Sequence, residues 1–210
     1  MNVPNLTQAL RTRPVIGILR GCPLSHAQAM AGAAIASGIT VLEVTLDSER
    51  PLEQIAAIRV AHPEADVGVG TVRAAEQIGP AVEAGAGFVV SPIVDSSVIT
   101  AAVELGVAAI PGAATPTEID LALRLGATAV KVFPIDQLGG PGYLRAIRSP
   151  LGDPPLIPTG GVDPGSISDY LRSGAIAVGL GGALFPRAAI AEGNGDVVAR
   201  LAKEIVETLP

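Results

Sequence analysis

The chain contains only two lysines, and their surroundings differ sharply. Lys203 falls on the polar side of RLAKEIVETL, a helical pattern, and reads as a solvated surface residue. Lys131 interrupts ATAVKVFP, which is a strand by composition. A lysine among such neighbours loses hydration, and desolvation favours the neutral amine, the form that attacks a carbonyl carbon. The structural alternative is a strand-end lysine paired with a carboxylate. Glu43 interrupts TVLEVTL in the same manner. With a side-chain period of two, Val41, Glu43 and Thr45 share one face of that strand, while Leu42, Val44 and Leu46 share the other. A buried carboxylate needs a partner, and Lys131 is the natural one. The two could form a plain ion pair, or a general base beside an amine nucleophile.

Other candidates stand at the ends of apolar runs. Arg20 closes VIGILRG, where its planar fork could grip a carboxylate through two hydrogen bonds or form a salt bridge to an acid such as Asp47. Thr71 in GVGTV offers a hydroxyl, although threonine is also a common helix N-cap. The runs Thr159-Gly160-Gly161-Val162 and Gly179-Leu180-Gly181-Gly182 could cradle a phosphate through backbone N–H groups. Neither run matches a Walker loop or a dinucleotide fingerprint. His26 and His62 lie in a helix-like segment and a turn, with no acids at ligand spacing, so both read as structural and no catalytic metal is expected. The absence of a GxSxG motif argues against a serine hydrolase.

These residues need a scaffold, and the chain describes one by repetition. Helix-like segments end in glycine and are followed at once by short apolar runs at Gly38, Gly85, Gly106, Gly126 and Gly174, with gaps of 47, 21, 20 and 48 residues. The two long gaps each hold a further turn, so the repeat implies strands near 15–19, 40–46, 66–70, 87–91, 107–110, 128–133, 156–159 and 176–180. Near-continuous apolar strands suit a parallel sheet covered on both faces. Eight such units in 210 residues predict a single-domain (β/α)8 TIM barrel preceded by an extra N-terminal helix, with a doubly wound open sheet as the rival. Loop residues at one end of the strands, including Arg20, Thr71, Pro92, the Pro111-Gly112 step and both glycine runs, would then converge on one mouth.

Composition narrows the function. Apolar residues make up 49% of the chain and charged ones 16%, which excludes disorder. A net charge of −6, scattered basic residues and 2% aromatics argue against a nucleic-acid partner. Cys22 is the only cysteine, so an intramolecular disulfide and a cysteine-rich zinc site are excluded. No apolar run is long enough to span a membrane, and the N-terminus lacks a signal-peptide core, so a cytoplasmic location is expected.

The sequence resembles the class I 2-keto-3-deoxy-6-phosphogluconate (KDPG) aldolase family, including the related phosphogalactonate and 4-hydroxy-2-oxoglutarate aldolases. The resemblance is carried by ILRG at 18–21, LEVTL at 42–46, VGVGTV at 67–72, VVSP at 89–92 and IPGAATPTE at 110–118. VKVFP at 130–134, GGPGYLRAI at 139–147, PTGGV at 158–162 and AVGLGGAL at 177–184 complete it. It implies that KDPG is cleaved to pyruvate and glyceraldehyde 3-phosphate, with Lys131 forming a Schiff base and Glu43 moving protons. It further implies that Arg20 and Thr71 bind the pyruvyl carboxylate, Pro92 and Phe133 line the pocket, and the backbones at Gly160, Gly161, Gly181 and Gly182 bind phosphate. A homotrimer acting on a small keto acid, without cofactor or metal, is the implied assembly. The phosphogalactonate epimer and 4-hydroxy-2-oxoglutarate remain alternative substrates, and a phosphate-binding isomerase or synthase barrel is the rival class.

Two departures from the family pattern bear on the site. Many relatives carry arginine after the LEVTL strand, where this chain has Asp47, while Arg20 matches the branches that use the arginine of ILRG. Gly182 stands where the family often has serine, which removes one hydroxyl from the expected phosphate site. Thr159 matches the gluconate-type enzymes.

Overall fold

The computed structural model describes residues 3–209. Its strands are β1 (Val15–Leu19), β2 (Val41–Thr45), β3 (Asp66–Gly70), β4 (Phe88–Val90), β5 (Ala108–Ile110), β6 (Gly112–Ala113), β7 (Val130–Val132), β8 (Leu156–Pro158) and β9 (Val178–Leu180). The helices are α1 (Val3–Thr12), α2 (Leu24–Ala36), α3 (Pro51–Ala61), α4 (Ile78–Glu83), α5 (Ser96–Glu104), α6 (Pro116–Arg124), α7 (Gly140–Arg148), α8 (Ile167–Arg172), α9 (Arg187–Glu192) and α10 (Gly195–Glu207). Gly38, Gly85, Gly106, Gly126 and Gly174, read from the sequence as helix stops, all have positive φ, between +69° and +103°.

All pairings between these strands are parallel. Six strands form one curled sheet in the order β5-β4-β3-β2-β1-β9, half a barrel, and β6-β7-β8 form a second sheet. The two sheets touch at both margins. On one side the Thr128 N–H donates to the Ala109 carbonyl and the Lys131 N–H to the Pro111 carbonyl, each at 2.9 Å. On the other, Thr159 bridges Gly179 in parallel, and the Ile176 N–H donates to the Leu156 carbonyl at 3.0 Å.

The strands are shorter than the apolar runs suggest, and the expected eight appear as nine segments. The run 128–133 yields only Val130–Val132, and the run 176–180 only Val178–Leu180. Of the Pro111-Gly112 step, expected as a mouth loop, Gly112 belongs to β6 while Pro111 lies between β5 and β6. Proline lacks only the N–H, so its carbonyl still joins the ladder, and Gly112 pairs in register with Lys131 as part of β6.

Alternation along the strands separates two cores. Val15, Leu19, Leu42, Val44, Val67, Val69, Val130 and Val132 face the helices in the larger cluster. Ile16, Val41, Phe88, Val90, Ala108, Ile110 and Ile157 face the opposite way into a smaller one, where Leu6 and Leu10 of α1 join them. Full burial of each large aliphatic side chain contributes about 1.5–3 kcal/mol, which fixes the strand register and hence the direction of the odd polar residues among them. Part of the IPGAATPTE motif is local chemistry. Thr115 caps α6 and Glu118 reaches back to the Ala114 and Thr115 N–H groups at 2.9 and 2.8 Å.

Candidate active site

Lys131 is the middle residue of β7. Val130 and Val132 pack outward, so the strand period turns Lys131 inward, where it is 6% exposed. Glu43 is the middle residue of β2, flanked by outward Leu42 and Val44, and is 1% exposed. Both side chains line one small void at the foot of the interior, together with Ile16, Ile18, Val90 and Ile110. Neither forms a salt bridge among the described residues, so the plain ion pair is not made.

Glu43 reaches this position across a gap in the neighbouring strand. Its carboxylate lies over Gly70, and a Cβ on that residue would overlap Oε1. Glu43 Oε1 is buried and has no hydrogen-bond partner among the described residues. Burial raises the Glu43 carboxyl above its ordinary value; the positive charges of Lys131 and Arg20 pull it down and Asp47 adds to the rise, leaving it raised. Such an acid can hold and return a proton nearer neutral pH than an exposed glutamate can.

Above Lys131 opens a cavity of about 400 Å³. Arg20, Lys131, Phe133, Thr159, Gly160, Gly161, Gly181 and Gly182 all line it. The Lys131 Nζ stands 5.2 Å from the centroid of the Phe133 ring, within cation–π range. Arg20 follows β1 directly, is half-exposed, and its Nη1 donates to Asp47 at 2.9 Å. Thr159 is buried, and its hydroxyl donates to the Ile157 carbonyl at 3.3 Å.

At the far side of the cavity two turns present backbone. Gly160 and Gly161 have φ of +87° and +84°, and a Cβ on Gly161 would overlap Asp136. The N–H groups of Gly161, Val162, Gly182 and Ala183 donate to no protein acceptor among the described residues. Four free donors around one rim suit an oxyanion, as in other backbone nests. The helix N-terminus beyond Gly161 is occupied by Asp163, which accepts from the Ser166 N–H at 3.1 Å, so the donors there are those of the turn rather than of the helix.

Thr71 and Pro92 are not among the residues lining this cavity. Thr71 follows β3 beside the Glu43 gap and has a φ of +62°, a left-handed conformation that a β-branched residue adopts at a cost. It caps no helix; the next helical turn begins at Ala75 with Ala74 before it. Pro92 is half-buried, with its carbonyl packed under Gly112. Sequence reasoning did not single out Ile18 or Ala183, which also line the cavity, and it read Val162 and Gly179 only as members of the two glycine runs. Gly179 carried a usable signal, since glycine inside a strand marks a close approach, and here the Thr159 side chain occupies the space.

Curled parallel strands with a buried amine, a buried acid and backbone N–H groups free of protein acceptors at one end suit a Schiff-base lyase type of site. The family model described as "KDPG and KHG aldolase" matches residues 6–201. The KHG/KDPG aldolase of Escherichia coli K12 is 38% identical over 94% of this chain and 93% of its own length. The 2-dehydro-3-deoxy-phosphogluconate aldolase of Pseudoalteromonas atlantica is 37% identical over 92% and 90%. Among solved structures, the KDPG aldolase of Legionella pneumophila, with pyruvate captured at low pH as a covalent carbinolamine intermediate, superposes with a TM-score of 0.88. It is 30% identical and covers 95% of this chain and 97% of its own. The chain belongs to the KDPG and KHG aldolase family.

Proposed function

We propose that this chain is a class I aldolase, an aldehyde-lyase that cleaves KDPG reversibly to pyruvate and glyceraldehyde 3-phosphate. The observation that carries the reading is the sharing of one void by the buried Lys131 and the buried Glu43, directly beneath an anion-ready cavity. The neutral Lys131 Nζ adds to the C2 carbonyl, and loss of water leaves an iminium that draws electrons from the C3–C4 bond. Glu43 takes the proton of the C4 hydroxyl, the bond breaks, and the aldehyde departs. The pair of electrons left on the pyruvyl fragment forms an enamine. Glu43 returns its proton to C3, and water hydrolyses the iminium to release pyruvate and free the lysine.

Arg20 and Thr71 bind the pyruvyl carboxylate, with Arg20 already at the cavity. Thr71, one residue beyond β3, is assigned its hydroxyl contact on the family pattern, since it does not line the cavity. Phe133 packs against the reacting carbons, while Pro92 stands off the cavity with its carbonyl under Gly112. The phosphate is held by the N–H groups of the turns at Gly160-Gly161 and Gly181-Gly182, supported by four donors free of protein acceptors. Thr159 lines the cavity, and with its hydroxyl proton given to the Ile157 carbonyl it can only accept a hydrogen bond from the sugar chain. We read the two sheets as one closed eight-stranded TIM barrel in a single domain, supported by hydrogen bonds across both margins, with α1 as an additional helix closing one end of the interior.

A homotrimer is supported by apolar side chains left exposed on neighbouring helices, Val103 and Leu105 at α5 and Leu121 on α6. No helix among the described residues is long and apolar enough to cross a membrane. A cytoplasmic setting is supported by the substrate itself, whose fixed charges keep it from crossing lipid. The test is borohydride reduction in the presence of pyruvate. It should add one pyruvyl unit to the Lys131 peptide and abolish cleavage, and Lys131→Met should show neither adduct nor turnover. An adduct elsewhere, or an active Lys131→Met, overturns the reading.

A further inference from the structure

One charged contact at the cavity is explained neither by folding nor by the chemistry above. Arg20 and Asp47 meet at 2.9 Å with both side chains 49% exposed. A half-exposed pair contributes little to stability. Asp47 nevertheless places a negative charge beside the cation that the reading above gives to the substrate's carboxylate, and it raises the cost of ionising Glu43. An acid in that place needs a compensating role.

We infer that Asp47 is a positioning residue, which anchors the Arg20 guanidinium over the cavity so that its remaining N–H groups meet the keto acid's carboxylate. The inference rests on the aldolase reading. Arg20 is the first residue after β1, and Asp47 follows β2 by two positions; the pairing of Leu19 with Val44 brings the two ends side by side. Asp47 itself stands on a fixed turn. The Ser48 N–H donates to the Thr45 carbonyl at 3.0 Å, the Leu46 N–H to the Gly70 carbonyl at 2.9 Å, and the Glu49 N–H to the Cys22 carbonyl at 3.2 Å. Arg20 has no other hydrogen-bond partner among the described residues. Without Asp47 its long side chain would sample solvent and would have to be ordered each time a substrate bound. Only Nη1 is engaged, so Nη2 and Nε stay available for a carboxylate.

The test follows pyruvate itself by borohydride trapping on the full-length protein, with KDPG cleavage measured alongside. Asp47→Ala should raise the half-saturating pyruvate concentration and the KM for KDPG roughly two- to tenfold. Its kcat should change less than KM, since Asp47 acts on Glu43 only through its charge and on the substrate's carboxylate through Arg20. Asp47→Asn keeps an oxygen acceptor for the guanidinium and should recover most of that affinity. In an Arg20→Ala background, Asp47→Ala should add no further loss, because it acts through the arginine. Unchanged or improved affinity in Asp47→Ala, or losses that add in the double variant, overturns the inference. Failure of the wild-type protein to trap pyruvate on Lys131 would instead overturn the aldolase reading, so the two failures are distinct.

Discussion

Glu43 and Gly70 stand on adjacent strands so close together that the glutamate carboxylate fills the space a Cβ on Gly70 would need. The strand partner of Thr45 is thus a glycine for the sake of Glu43, two residues back along the same face. The acid is thereby sunk to 1% exposure while one of its oxygens, Oε1, is left without a donor among the described residues. A side chain held in that state is ready to take a hydrogen bond from something that enters the site.

Gly70→Ala tests the relationship. The new methyl group would displace the carboxylate or push β2 and β3 apart. Overpacking of this kind costs about 1–3 kcal/mol. The expected outcome is a lower Tm together with a kcat loss greater than the change in KM, because the displaced group is the proposed proton carrier. A variant with wild-type kcat would show that the position of Glu43 does not matter.

The pH dependence of stability reports the same burial. Glu43 is raised above the ordinary glutamic value of 4.5, so the folded state holds its proton more tightly than the unfolded state does. The contribution of this group to stability is therefore full below that value and is lost as pH rises through the higher folded one. Glu43→Gln removes the ionisation and should flatten that part of the profile, with the variant gaining on wild type as the pH rises toward 8. Its kcat should fall by about 10²- to 10⁴-fold. Urea unfolding at pH 5 and pH 8 makes the check. Parallel profiles for the two proteins would refute the buried ionisation.

Thr71 offers a trade between stability and binding. Its φ of +62° is a conformation glycine adopts freely and threonine does not. Strain of this kind costs about 1–3 kcal/mol. Thr71→Gly should recover part of it as a higher urea midpoint, offset by the greater freedom of glycine in the unfolded chain. If the hydroxyl binds the keto acid's carboxylate, KM should rise about fivefold in the same variant. Thr71→Ser keeps the hydroxyl and should hold the KM.

The sequence was legible where one residue contradicts its neighbours. Lys131 and Glu43 each break an apolar strand, and the period of two that makes Val130, Val132, Leu42 and Val44 pack outward also turns the two charged residues inward. Helix ends were legible because a glycine in the left-handed region leaves a clear mark, as at Gly126. What the sequence hid depends on partners far along the chain. A glycine in a strand signals a close approach, but nothing local says that Gly70 makes room for Glu43 or Gly179 for Thr159, or that the Pro111 carbonyl accepts from the Lys131 N–H. The left-handed twist at Thr71 was equally hidden, since threonine in a loop reads first as a cap.

The rim of the proposed phosphate cradle allows one gain-of-function prediction. Gly182 has open space where a Cβ would be placed, with no atom within 4 Å, and its φ is not positive, so a side chain fits without strain. It lines the cavity beside free N–H groups of the same turn. Gly182→Ser adds a hydroxyl donor there. One added hydrogen bond to a charged oxygen should contribute about 1 kcal/mol, roughly a fivefold lower KM for the phosphorylated substrate. The unphosphorylated analogue, with nothing to accept the bond, should keep its KM. Comparing both substrates on both proteins isolates the contact. An equal improvement for the two, or none for either, would mean that the phosphate does not sit on this turn, and the glycine donors would need another ligand.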